Sequence, residues 1–302
     1  MRKTGIAINA ALFTCLFILG CSPAAYRAQS DTVVDTIPFQ LSPHNNIIVE
    51  ALLNNTDTLR LMLHTAANSV SIIRDCSERL QSIQWGQETE VSAWGGKGKS
   101  RYSGGNLLKV AATVFDSLPV WENDKSGPGT DGKFGLNLFE DYAVAINFDD
   151  SLITLHRVLP DTEGYVNMSM ENRDGLLFIE GTTRLGATNY THPFLIHSGY
   201  AGSMLFDDQF SSDANLAQHI EITSAEELKD AYGNVVATKK GILPEFSLGD
   251  FRFYDLPVGF FEGTIGRQQM SVLGGDFIRR FNVIISKDRE VIYLQRNACF
   301  AD

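Results

Sequence analysis

Two histidines in matched settings are the side chains best placed to do chemistry. His64 follows Leu61-Met62-Leu63 and precedes Thr65-Ala66, while His197 follows Phe194-Leu195-Ile196 and precedes Ser198-Gly199. Each copy is an apolar strand, then one ionisable side chain, a hydroxyl and a small residue. An imidazole exchanges protons near neutral pH, and its two nitrogens act separately. Two imidazoles side by side disfavour double protonation. One neutral and one protonated ring near pH 7 would supply a base and an acid. A histidine pair is also half of a zinc site, but no His-x-x-x-His or Cys-x-x-Cys accompanies it, and no metal is expected. His44, His156, His192 and His219 share no spacing and read as surface or packing residues.

The segments that must position the pair form a repeat. Residues 47–53 read as a strand, Asn54-Asn55-Thr56-Asp57 as a hairpin turn, and residues 59–63 as the returning strand that delivers His64. Residues 176–182, a turn near Gly186 to Asn189, and residues 194–196 deliver His197 in the same way. A second repeat aligns residues 135–155 with residues 274–294 without gaps, matching Gly135/Gly274, Val144/Val283, Ile146/Ile285, Asp149/Asp288, Ile153/Ile292 and Leu155/Leu294. The interval from His64 to Gly135 is 71 residues, and from His197 to Gly274 it is 77. Two motifs in one order at nearly one interval imply two structurally equivalent halves. Each second motif reads as a strand, a glycine, a short helix (residues 136–142 and 276–281), then a hairpin turning at residues 149–151 or 287–289.

An apolar run followed by an ionisable residue, a hydroxyl and Gly resembles the active-site loop of aspartic proteases, whose lobes each carry Asp-Thr/Ser-Gly. The resemblance spans about residues 36–296. It is greatest to the two-lobed retropepsin-related lipoproteins and secreted aspartyl-protease-like proteins of bacteria. It implies an all-β fold of two pseudo-twofold-related, retropepsin-like β-barrel lobes with a short helix each, at residues 36–157 and 173–297, joined by the polar residues 157–172. It assigns His64 and His197 to the catalytic aspartate positions and makes Thr65 and Ser198 the hydroxyls that brace them. It also implies flap hairpins over the cleft at residues 91–98, with Trp94, and 231–235, with Tyr232; Tyr200 is a further ring at the cleft.

Aspartic proteolysis requires two carboxylates sharing a proton, which imidazoles do not reproduce. Ala66 stands where the pattern has Gly, and would distort the first loop if the backbone there needed a positive φ. The expectation is a pseudoenzyme that binds a peptide or other polymer between its lobes, with Asp-dyad proteolysis lost. Alternatives are a glycan- or peptide-directed hydrolase using the His64/His197 pair or other carboxylates, a metal site at the pair, and a partner-binding protein whose cleft is filled. For a glycan, Trp85, Trp94, Trp121 and Tyr200 would be the stacking surfaces. No cofactor is implied, and the chain is expected to be a monomer.

Composition sets the surroundings. Of 302 residues, 44% are hydrophobic and 20% charged, as in ordinary globular proteins. Arg2 and Lys3 precede an apolar run from Ile6 to Leu19, too short to span a bilayer. Ile18-Leu19-Gly20-Cys21 resembles a bacterial lipoprotein box, which implies residues 1–20 as a signal peptide, a lipid on the Cys21 thiol, and residues 21–35 as a tether. That implies a cell-envelope protein touching the membrane through its lipid alone, at the outer membrane because no Asp follows Cys21. Without residues 1–20 the chain keeps 23 Lys+Arg against 36 Asp+Glu, a net charge near −13. An excess of that sign argues against nucleic acid or anionic lipid as partner. Cys76 and Cys299 would then lie where a disulfide can form, and a bridge would tie the first lobe to the C-terminus.

Overall fold

The computed structural model describes residues 33–93, 96–229, 235–261 and 268–300. Cys21, Trp94 and Tyr232 lie outside the described residues.

Each half closes into a barrel. In the first, the strand order is Ile47–Leu53, Asp57–Leu63, Gly132–Phe134, Val70–Ile73, Thr113–Asn123 and Gly96–Val110, closed where Ala51 pairs with Val110. In the second, it is Leu176–Leu185, Thr188–His197, Ser271–Gly274, Met204–Leu205, Phe251–Phe260 and Val235–Leu248, closed where Thr182 pairs with Ser247. The matching strands pair in matching senses. Asp57–Leu63 runs parallel to Gly132–Phe134, and Thr188–His197 runs parallel to Ser271–Gly274. Alternation decides which way each strand faces. Leu59, Leu61 and Leu63 are fully buried, whereas Thr58 and Arg60 are exposed. The turn at Asn54 and Asn55 has φ of 49° and 56°. Left-handed φ at both central residues is a conformation that Asn tolerates, and the Thr56 N–H closes the turn on the Leu53 carbonyl at 2.9 Å within a three-residue loop between the paired Leu53 and Asp57.

A six-stranded antiparallel sheet joins the barrels. Val33–Pro38, Leu152–His156 and Ala143–Asn147 come from the first half; Phe281–Ile285, Val291–Arg296 and Val166–Arg173 complete it. At the junction Val144 pairs with Ile285, Ala145 with Ile284 and Ile146 with Val283. The sequence repeat equates Val144 with Val283 and Ile146 with Ile285, so each strand meets its own duplicate head to tail. A local twofold axis therefore passes between Ala145 and Ile284.

Several details differ from the sequence reading. Val33–Pro38 begins inside the expected tether, because Ile37 is buried and the strand pairs with Leu152–His156. Residues 157–172 are not all connector, since Val166–Arg173 pairs with both Val291–Arg296 and Leu176–Leu185. The short helices occupy only Leu136–Phe139, as a 3-10 turn, and Gly275–Ile278. Cys76 is buried and Cys299 exposed, and both thiols are free, so the permitted bridge is not made. Among the described residues no helix is long and apolar enough to cross a membrane.

Candidate functional site

The strands Asp57–Leu63 and Thr188–His197 each deliver a histidine at a tight turn. The Ala67 N–H donates to the His64 carbonyl at 2.9 Å, and the Tyr200 N–H to the His197 carbonyl at 3.0 Å. The glycine-bearing strands pass directly against these turns. A Cβ on Gly135 would lie 1.6 Å from the Ala67 oxygen, and one on Gly274 would lie 2.1 Å from the Gly202 oxygen. Only glycine allows that approach, which accounts for the repeated Gly135/Gly274.

Behind the histidines the two loops interlock. Thr65 Oγ1 accepts from the Ser198 N–H at 3.0 Å and donates to the Ile196 carbonyl at 2.6 Å. Ser198 Oγ accepts from the Thr65 N–H at 3.0 Å and donates to the Leu63 carbonyl at 2.6 Å. All four bonds are buried and cross between lobes. Because Thr65 and Ser198 directly follow the histidines, the lattice holds the rings in mutual register.

The two imidazoles meet with centroids 4.5 Å apart and planes at 63°. The solved structure of an aspartic proteinase from Irpex lacteus is similar, with a TM-score of 0.58, covering 88% of this chain and 98% of that chain at 12% identity. The fold is aspartic-protease-like. No protein-family model and no curated protein matches the sequence.

In this aspartic-protease-like fold the paired centre carries no shared negative charge. Burial first, then the neighbouring His197 and Lys133, push the His64 pKa well below its ordinary value. Burial, helped by Lys133, lowers His197 to about 4. Both shifts favour neutral rings at pH 7 over the neutral-plus-protonated pair that the sequence suggested. Desolvation disfavours the first proton as well as the second. The Tyr200 N–H also donates to His197 Nδ1 at 3.0 Å, so that nitrogen holds a lone pair and the ring proton sits on Nε2. His64 Nδ1 is buried without a hydrogen-bond partner among the described residues.

Ala66 does not distort its loop. Its φ is not positive, and its methyl joins a small apolar cluster with Phe178, Leu195, Leu205 and Val272. Gly199, its counterpart, is required sterically: a Cβ there would lie 2.2 Å from His64 Cδ2.

The aspartic-protease-like fold brings together His64, His197, Thr65 and Ser198, but the expected aromatic surfaces have other occupants. The Tyr200 ring lies where Cβ atoms on Gly202, Gly259 or Gly274 would crowd it, so it packs on its own lobe. The Arg101 guanidinium covers Trp85 at 5.3 Å, and Trp121 packs against Tyr102 with centroids 5.0 Å apart and planes tilted by 58°. The hairpins expected to carry Trp94 and Tyr232 are paired as far as Ala93 with Gly96 and Lys229 with Val235. Among the described residues no three or more His, Cys, Asp or Glu side chains are grouped to hold a metal ion.

Lys133 is the site residue that sequence reasoning missed. A signal was present, because extending the second repeat two residues upstream sets Lys133 opposite Val272, a charge against a buried aliphatic. A cavity of about 760 Å³ lies away from the histidines, lined on the second barrel by residues including Glu180, Thr182, Arg184, Glu245 and Arg252. Arg184 and Glu245 there pair with each other at 3.1 Å.

Proposed function

We propose that this protein binds a polymer chain, in the first instance a peptide, in the cleft between its lobes, as a lipid-anchored component of the cell envelope. It does not cleave through an aspartate dyad. The observation that carries the reading is the intact Thr65/Ser198 lattice around two neutral imidazoles, where this fold otherwise presents paired carboxylates. Retaining the brace without the dyad favours a retained groove over retained chemistry. A peptide is favoured over a glycan because Trp85, Trp121 and Tyr200 are already packed. In addition, among the described residues the strand Glu88–Ala93 is the last of its sheet and offers an edge to an extended chain. The lipid anchor rests on Gly20-Cys21 after the apolar run.

A second reading has one observation behind it. His197 Nε2–H is a donor, and His64 Nδ1, without a partner among the described residues, is an acceptor when that ring carries its proton on Nε2, the polarity that general acid–base hydrolysis uses. One experiment separates the two. The mature chain and its His64→Ala/His197→Ala variant are incubated with unstructured protein from pH 3 to 7, and screened by thermal shift against peptide and polysaccharide libraries. Binding without cleavage is expected, and a peptide at a hundred times its Kd should add about 2.7 kcal/mol of stability. Cleavage that disappears in the double variant would replace the binding reading with the hydrolytic one.

A further inference from the structure

We infer that the group of the bound chain that meets the histidine pair is an anion, a carboxylate carried by a peptide; this rests on the cleft-binding reading above. An aspartate dyad is an acceptor with negative charge and repels a carboxylate. Here both properties are reversed. The Tyr200 N–H occupies His197 Nδ1 at 3.0 Å, so Nε2 of that ring is a donor. Lys133, on the strand Gly132–Phe134 beside the pair, is the charged side chain whose field reaches both rings. Among the described residues no carboxylate acts on either ring. The nearby Asp276 on Gly275–Ile278 is engaged by Ser203, Arg279 and Arg280. Thr65 and Ser198 use their hydroxyls on backbone groups. The centre thus presents the His197 Nε2–H donor beside a cation, within a chain of formal net charge −11. The surrounding excess of negative charge admits one carboxylate on an otherwise neutral or basic peptide and disfavours a polyanion.

Linkage fixes the pH dependence. A bound anion favours the protonated imidazole, so carboxylate affinity rises as pH falls toward the range in which the rings take up a proton. The test follows the ring nitrogens of ¹⁵N-histidine-labelled mature protein by NMR while sodium acetate is added at fixed ionic strength, with chloride as control, from pH 6.5 to 4.5. Octapeptides made in two versions, with Glu or Gln at the centre, are titrated alongside. Acetate should shift the His64 and His197 resonances saturably, several-fold more tightly at pH 4.5 than at pH 6.5 when its concentration is counted as the ionised form, because carboxylates themselves take up protons toward pH 4.5. The Glu peptides should bind more tightly than their Gln twins. Lys133→Gln should weaken acetate several-fold without changing the ring tautomers. Rings unmoved by acetate, or equal binding of Glu and Gln peptides, overturn the anion inference while leaving cleft binding intact. Acetate binding with neither peptide retained overturns the cleft reading, and with it the source of the carboxylate.

Discussion

Thr65 and Ser198 each use a donor and an acceptor across the lobe boundary, so no isostere can replace either without stranding buried backbone. Thr65→Val keeps the shape and deprives the Ser198 N–H and the Ile196 carbonyl of their partner. The expected loss is about 2–4 kcal/mol, read as a lower urea midpoint at unchanged m-value. Thr65→Ser keeps the oxygen and should recover most of it. The histidines beside them make stability depend on pH with a definite sign. His64, His197 and His192 have folded pKa values below the ordinary 6.5, the last two at about 4, each chiefly through burial. On acidification the unfolded chain therefore binds more protons than the folded one. Their contribution is fully present above about pH 6.5 and is lost as pH falls toward about 4. Asp276 follows at lower pH: burial alone would raise its pKa, but hydrogen bonds from Ser203 and Arg279 outweigh that and hold it below the usual value. Urea midpoints should fall steadily from pH 7.5 to 4.5, and His64→Asn/His197→Asn should flatten part of that slope. An unchanged slope in that variant would show that the rings do not titrate as a desolvated neutral pair.

At the scale of elements, the hairpin Glu88–Ala93/Gly96–Val110 is rooted in its barrel by one buried carboxylate. Glu122 is fully buried; it accepts from Arg101 Nε at 2.9 Å, from Arg101 Nη2 and from Ser77 Oγ, with Arg74 Nη1 at 3.4 Å. Burial alone would raise its pKa, but the hydrogen bonds from Arg101 and Ser77 prevail and hold it below the carboxylate norm. Removing one partner of a buried pair typically costs about 3–5 kcal/mol. Arg74 and Arg101 are part-exposed and can rehydrate, so Glu122→Gln should cost about 2–4 kcal/mol. Amide exchange across Glu88–Ala93 should speed up by more than in the second barrel; a uniform effect would mean the network does not anchor the hairpin. This cluster was not legible in the sequence. Arg101 and Glu122 become neighbours only because Tyr102 pairs with Trp121, a register reached through two irregularities between Ser103 and Leu108. The turn at Asn54-Asn55 was legible, because its backbone demand is local and Asn meets it.

At the scale of the molecule, the two halves share a sheet rather than merely touching. Arg289 of the second half reaches the carbonyls of Phe139 and Tyr142 in the first, at 2.7 and 3.2 Å. Asn282 likewise holds the Phe148 N–H at 2.9 Å. Proteolytic nicking between residues 157 and 165, where Val158 and Leu159 are exposed, should leave both fragments associated in one species on size exclusion. Either half expressed alone should aggregate, because it would bare the fully buried strand Phe281–Ile285 or its partner Ala143–Asn147. Separation of the nicked fragments under native conditions would show that the shared sheet does not hold the halves together. Duplication and the two histidine turns were readable from residue order alone, since alternation, turn chemistry and glycine at close approaches are local requirements repeated in each half; the barrel class was implied by the resemblance of those turns to aspartic-protease loops. The protonation state of the pair, the donor role of His197, the arrival of Lys133 and the occupied faces of Trp85, Trp121 and Tyr200 were decided by tertiary structure. Each depends on desolvation and on neighbours distant in sequence, which no local pattern encodes.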